Sequence, residues 1–261
     1  MLEVADSLIK ADGFNHLAGI VILAGGASKR MGSPKVELIL PTGERLLDYH
    51  VRQALELSAA MMSNLPIMLA DNGRGFSVNA DLPKKEAQSP IFRIRDYLSA
   101  NALSSKNISG KNLSNKDDKS IETGGALVAI ESALQSLKRL VSSKQLTKDA
   151  SWQQSWLLVI SCDSLITVTD LWQKLQPYIT QAADKSVICL TDDSHLYPLL
   201  GLYRLDMEPD LKRYIDDEQR QVMKFIKPIV QPVAFVKKWQ NLTNFNTPKD
   251  FARACLALNN L

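Results

Sequence analysis

Chemistry is most concentrated between Leu23 and Lys35 of the 261-residue chain, in the string LAGGASKRMGSPK. Gly25 and Gly26 let the backbone come close to an anion, and amides exposed at such a turn can hold phosphate oxygens. Lys29, Arg30 and Lys35 follow, three cations able to converge on a polyphosphate. The spacing is not that of a Walker A loop, because Gly26 and Gly32 stand one residue too far apart and Ser33 takes the place of the lysine. No GxGxxG fingerprint is present either. On glycines and charges alone, a solvated basic loop after a tight turn accounts for the segment equally well. A second candidate is Asp163, which follows the apolar run Trp156 to Ile160 and so stands at the carboxyl end of a strand, the ligand side of an open α/β sheet. Its alternative role, capping the next helix, suits Thr167 or Thr169 better.

These residues need a frame to position them. Gly19 to Leu23 is a short apolar run that stops at the glycine turn, as a buried strand does. Leu47, Val51, Ala54, Leu55 and Ser58 follow helical spacing, and Pro66 to Leu69 predicts a second strand, which together make a right-handed βαβ unit with a parallel sheet. Leu127, Ile130, Leu134, Leu137 and Val141 predict another helix, with Thr123 as its cap. Further strands are expected at Val187 to Leu190, Leu199 to Tyr203 and Val233 to Val236. A last helix is expected to start at Thr247-Pro248, with Thr247 and Asp250 at capping-box spacing. Residues 1–16 are expected to be an N-terminal extension. The Ser, Asn and Lys composition of residues 98–122 predicts a flexible surface insertion.

Composition excludes other classes. Hydrophobic residues at 45% and charged residues at 23% fit an ordinary folded protein, neither a disordered chain nor a fibrous repeat. The three cysteines, Cys162, Cys189 and Cys255, form no CxxC pair and predict buried reduced thiols in a cytoplasmic protein rather than disulfides or a zinc site. A net charge of +3 gives no reason to expect nucleic acid as a partner. No apolar run reaches membrane-spanning length, and the acidic residues near the start argue against a signal peptide.

The string LAGGASKRMGSPK resembles the LAGGxSxRMGxxK signature of nucleotidyltransferases, and among them the molybdenum cofactor guanylyltransferase (MobA) family. Arg95-Asp96 resembles the acidic position that the family places after its third strand. Thr123-Gly124-Gly125-Ala126 resembles its GPLAG turn, and Ser161-Cys162-Asp163-Ser164 its CDxP metal motif. Arg220 to Phe225 and Asn244 to Pro248 resemble RRVMxF and NxNTPEE. The matches run in family order from about Leu17 to Asp250.

The resemblance implies a single α/β domain over residues 17–261, Rossmann-like and three-layered, with a mostly parallel central sheet of the nucleotidyltransferase type. It implies Mg²⁺-dependent transfer of GMP from GTP to molybdopterin, releasing pyrophosphate. Leu23, Ala24, Gly25 and Gly26 would then contact the nucleotide, with Asn72, or Ala70 two residues earlier, and Asp96 beside it. Arg30 and Lys35 would be catalytic, Lys35 also binding nucleotide, and Asp163 would bind the nucleotide's metal. Arg220, Asn244 and Asn246 would face the pterin, while Lys237 and Lys238 are expected to be solvated strand-end charges. A molybdenum insertion protein and a molybdoenzyme chaperone are implied as transient partners. Three departures stand out: Gly124 and Leu165 replace prolines of the GPLAG and CDxP motifs, and Tyr197-Pro198-Leu199 replaces HPT. At this level a cytidylyltransferase, a sugar-phosphate nucleotidyltransferase or a nucleotide-binding protein without activity stay open.

Overall fold

The computed structural model describes residues 17–26, 28, 30–82, 89–96, 124–143 and 154–259. The expected extension 1–16, the insertion 98–122, the cap Thr123 and Lys29 lie outside the described residues.

A seven-stranded sheet organises the chain, in the order β3-β2-β1-β4-β6-β5-β7. Its strands are β1 (Leu17–Leu23), β2 (Ile67–Ala70), β3 (Ile91–Arg93), β4 (Trp156–Ser161), β5 (Val187–Thr191), β6 (Leu196–Arg204) and β7 (Val230–Ala234). All are parallel except β6, which runs antiparallel between β4 and β5. The helices are α1 (Leu46–Ala60), α2 (Gly125–Ser143), α3 (Val168–Leu175), α4 (Glu208–Asp216), α5 (Val222–Ile226) and α6 (Pro248–Leu258). None of these is long and apolar enough to cross a membrane.

Side-chain alternation divides the core into two layers around the sheet. Ile20, Ile22, Leu158 and Ile160 pack on one face with Leu46, Val51 and Leu55 of α1, Leu171 of α3 and Ala254 of α6. Val21, Leu157 and Val159 pack on the other face with Leu127, Ile130 and Leu134 of α2 and Leu211 of α4. Both faces of the central strands are covered, so Trp156–Ser161 is buried throughout, as its continuous apolar run requires. The result is the expected three-layer α/β arrangement.

Two strands differ from their sequence reading. β7 begins three residues early and ends at Ala234, because it pairs with β5 at the sheet edge. Pro232, which reads as a strand breaker, is tolerated on such an edge. Phe235 and Val236 lie beyond the strand and pack into the core instead. β6 extends to Leu196–Arg204 through an irregularity opposite Cys189 and Leu190 that the alternation does not announce.

Candidate active site

The site forms at the carboxyl ends of β1, β2 and β4. After Leu23 the chain stays tied to the sheet, with the Ala24 amide donating to the Ala70 carbonyl at 2.9 Å. Gly25 is required by contact, since a Cβ there would lie 2.9 Å from Cβ of Asn72. Ser28, in the left-handed region at φ 47, folds the basic segment back. Its hydroxyl accepts from the Lys35 amide at 3.1 Å, and its carbonyl accepts from the Met31 amide at 2.9 Å. Buried Met31 and Val36 anchor the far limb.

Lys35 is thereby aimed at the end of β4. Its Nζ lies 3.5 Å from Asp163 Oδ2 and donates to Asn246 Oδ1 at 2.9 Å. Asn246 is held in turn by its neighbours. Its Nδ2 donates to Asn244 Oδ1 at 2.9 Å, and its backbone amide donates to the Asp250 carboxylate at 3.3 Å. Asp250 is also the third residue of the capping box on Thr247 that opens α6, and the Thr247 hydroxyl helps hold its carboxyl below the usual range. The helix cap that the sequence predicts therefore also places Asn246.

The segment after β4 is joined to the same stretch by main chain. Leu165 N–H donates to the Leu242 carbonyl at 2.7 Å, Phe245 N–H to the Asp163 carbonyl at 3.4 Å, and Ser164 bridges Thr243. Cys162 is buried beside Asp163, and burial pushes its thiol far above the usual range, so it is no nucleophile at neutral pH. Cys162, Cys189 and Cys255 are all buried free thiols, as expected from the sequence.

Opposite lie Asn72, Asp96 and the start of α2. Gly125, Ala126 and Ala129 leave room there for a ligand, and the 19-residue helix turns its positive end toward the space. Burial raises the Asp96 carboxyl above its usual value, and the Gly124 amide opposes that rise. Between these walls is a cleft of about 450 Å³.

Of the residues singled out in the sequence, Leu23, Ala24, Gly25, Gly26, Arg30, Lys35, Asn72, Asp96, Asp163 and Asn246 all line this cleft, as does Ala70. Asn244 is not on the cleft surface but supports Asn246. Arg220 is not on it either, and its Nη1 donates to the Ile215 and Gln219 carbonyls at 2.7 and 2.8 Å. Lys237 and Lys238 are exposed in a 3-10 turn, Lys237–Leu242, beyond the strand end. Sequence reasoning missed Ser28, Ser161, Ala129 and Leu199, which also line the cleft.

The two lost prolines are compensated. A proline at 165 would lack the N–H that ties this segment to Leu242, and one at 124 would lack the amide that Asp96 uses. Gly124 is also needed by packing, since a Cβ there would meet Val128 at 2.6 Å.

A divalent cation fits the donor set. Asp163 is partly exposed, with 30% of its side chain accessible, and it faces the Lys35 ammonium. Mg²⁺ commonly takes one or two carboxylates and completes its shell with water and phosphate oxygens. Among the described residues no three His, Cys, Asp or Glu side chains cluster to form an all-protein cage.

Sheet order and cleft position together define a doubly wound α/β fold with a ligand cleft at the carboxyl ends of its strands. Residues 20–84 match the model of the MobA-like NTP transferase domain. The chain is 23% identical over 252 residues to a protein of Halalkalibacterium halodurans named "Probable molybdenum cofactor guanylyltransferase", covering 91% of this chain and 98% of that one. Among solved structures it is similar to molybdopterin-guanine dinucleotide biosynthesis protein A from Archaeoglobus fulgidus, with a TM-score of 0.56 and 16% identity over 93% of this chain and 100% of the other. It is also similar to 4-diphosphocytidyl-2C-methyl-D-erythritol synthase from Anaerococcus prevotii, with a TM-score of 0.53 and 12% identity over 95% and 100% of the two chains. At such identities the structural likeness speaks for the fold.

Proposed function

We propose that the protein transfers GMP from GTP to the terminal phosphate of molybdopterin, releasing pyrophosphate and forming the guanine dinucleotide. The observation that carries this reading is the meeting of Lys35, Asp163 and Asn246 in the same cleft as the glycine turn. The H. halodurans relative supplies the guanyl and molybdenum cofactor part of it.

An oxygen of the molybdopterin phosphate attacks the α-phosphorus of GTP, the new P–O bond forms, and the bond to the β-phosphate breaks. Pyrophosphate leaves with the electron pair of that bond. Little covalent work falls to the protein, so positioning and charge neutralisation dominate. Backbone groups of Leu23 to Gly26 seat the nucleotide, with Asn72 and Asp96 at the base and ribose. Arg30 and Lys35 offset charge on the α-phosphate and the leaving group. Mg²⁺, held by Asp163, adds Lewis-acid neutralisation of phosphate charge when bound. Asn246, backed by Asn244, faces the second substrate; Arg220 would join it only by leaving the Ile215 and Gln219 carbonyls. This reading places the protein in the cytoplasm, receiving its pterin from a molybdenum insertion protein and passing its product to a molybdoenzyme chaperone through transient contacts.

The test is incubation of purified protein with Mg²⁺, molybdopterin and each nucleoside triphosphate. Guanine dinucleotide and pyrophosphate are expected with GTP. Product from CTP and none from GTP would move the chain to the cytidylyl branch. Pyrophosphate no higher than with Asp163→Ala would mark a nucleotide-binding protein without transfer.

A further inference from the structure

The loop Asp71 to Phe76, which leaves β2 beside the cleft, is built around one buried carboxylate. Asp71 Oδ1 accepts from the Gly73 amide at 3.1 Å, and Oδ2 from the Gly75 and Phe76 amides at 2.9 and 3.2 Å. Oδ2 also accepts from Arg93 Nε of β3 at 3.0 Å. Asn72, Gly73 and Gly75 all take left-handed φ values, 57, 72 and 71, so the loop curls its amides inward onto Asp71. Two side chains meet the glycine turn as a result. Asn72 presses against Gly25, and Arg74 Nη1 donates to the Gly26 carbonyl at 2.8 Å.

We propose that Arg74 is a positioning residue for base selectivity, closing a clamp between the 71–76 loop and the glycine turn and so setting the gap between Asn72 and Gly25-Gly26. The inference rests on the reading of this cleft as a nucleotide site. Discrimination between bases needs polar groups held at fixed distance, because a loose pocket adapts to the wrong base. Arg74 is exposed and does not line the cleft, so neither burial nor direct ligand contact explains a guanidinium fixed on that carbonyl. Asp71 is the anchor that makes the placement reproducible.

The experiment is equilibrium binding of the four nucleoside triphosphates and of inorganic tripolyphosphate, without pterin, to wild type, Arg74→Ala, Arg74→Lys, Asn72→Ala and the Asn72→Ala/Arg74→Ala double variant. Arg74→Ala is expected to weaken the preferred triphosphate about tenfold while leaving the others and tripolyphosphate within about twofold, so that selectivity falls about tenfold. Arg74→Lys, which keeps one donor, is expected to recover part of the loss, and the double variant to bind no worse than Asn72→Ala. A thermal midpoint within about 2 °C of wild type accompanies this, since one exposed bond contributes little to folding. A uniform loss across all ligands would mark Arg74 as a simple anion contact and overturn the proposal, as would unchanged selectivity. Wild type that binds no triphosphate would overturn the nucleotide reading itself and the clamp with it, whereas wild type that binds all four equally would overturn the clamp alone; both outcomes are seen before any variant is made.

Discussion

Two of the loops that border the cleft are built in opposite ways. The one after β4, carrying Asp163, is joined to Leu242 through Phe245 by backbone groups, with the Leu165 and Phe245 amides as donors. The one after β2, carrying Asn72 and Arg74, is held by the side chain of Asp71. A backbone seam tolerates most side chains, provided that each N–H is present. A loop wound on one carboxylate depends on that residue. The comparison explains why Leu165 can stand where the related motif has proline: it loses a fixed φ and gains a hydrogen bond.

The largest effect is expected at Asp163, which the backbone seam delivers, and at Lys35, which lies against it. Lys35→Ala or Asp163→Ala should lower kcat by a few hundredfold, about 3 kcal/mol in the barrier, with little change in thermal midpoint. Single-turnover pyrophosphate release checks it, and a loss below tenfold would remove Lys35 from charge neutralisation. Asp71→Ala should instead act on stability. It leaves three loop amides and Arg93 without their acceptor, at a cost of about 3 kcal/mol in urea unfolding. A cost below 1 kcal/mol would show that the loop is held by something other than Asp71 and would weaken the contrast between the two borders.

What the sequence made legible follows the same division. The glycine turn could be found from Leu23 to Lys35 alone because its strand, turn and cations are contiguous. Helices α1 and α2 and the Thr247-Asp250 cap were equally local. Asn246 stands 211 positions from Lys35, and only the motif resemblance pointed to it. The resemblance put it on the pterin side, while the fold also gives it the ammonium of Lys35. Asp71 and Arg74 were invisible because D-N-G-R-G has the composition of any polar turn. Their importance comes from the β1 and β2 pairing, which lays that turn on Gly25 and Gly26. The extra reach of β7 was hidden for a related reason, since Gln231 and Pro232 become strand residues only once β5 lies beside them.

A smaller change tests the backbone seam itself. Leu165→Pro restores the residue type of the related motif but removes the 2.7 Å bond to Leu242. It should destabilise the fold by about 1–2 kcal/mol and raise the Mg²⁺ concentration needed for half-maximal rate, because Asp163 lies two residues away. Equal stability of the proline variant would show that the seam does not depend on that donor.

The smallest expected effect separates a buried carboxylate surrounded by donors, as Asp71 is, from one that is not. Glu131, on α2 behind the cleft, is buried with Gln135 donating to one oxygen at 3.0 Å, and Oε2 finds no donor. It faces Glu208 of α4, which is paired with Lys138. Burial, reinforced by the Glu208 charge, pushes the Glu131 carboxyl up to about 8. When protonated, its own O–H can be given to Glu208, which resolves the missing partner. The folded chain then holds a proton that the unfolded chain releases near 4.5. Stability should be fullest below that pH and decline as pH rises toward about 8, by on the order of 1 kcal/mol given the coupling to the Glu208-Lys138 pair. Glu131→Gln keeps a neutral side chain able to donate to Glu208, so its urea midpoint should be flat over the same range. A wild-type midpoint equally flat from pH 5 to 8 would mean that Glu131 is ionised in the fold with a donor of its own, and the contrast with Asp71 would disappear.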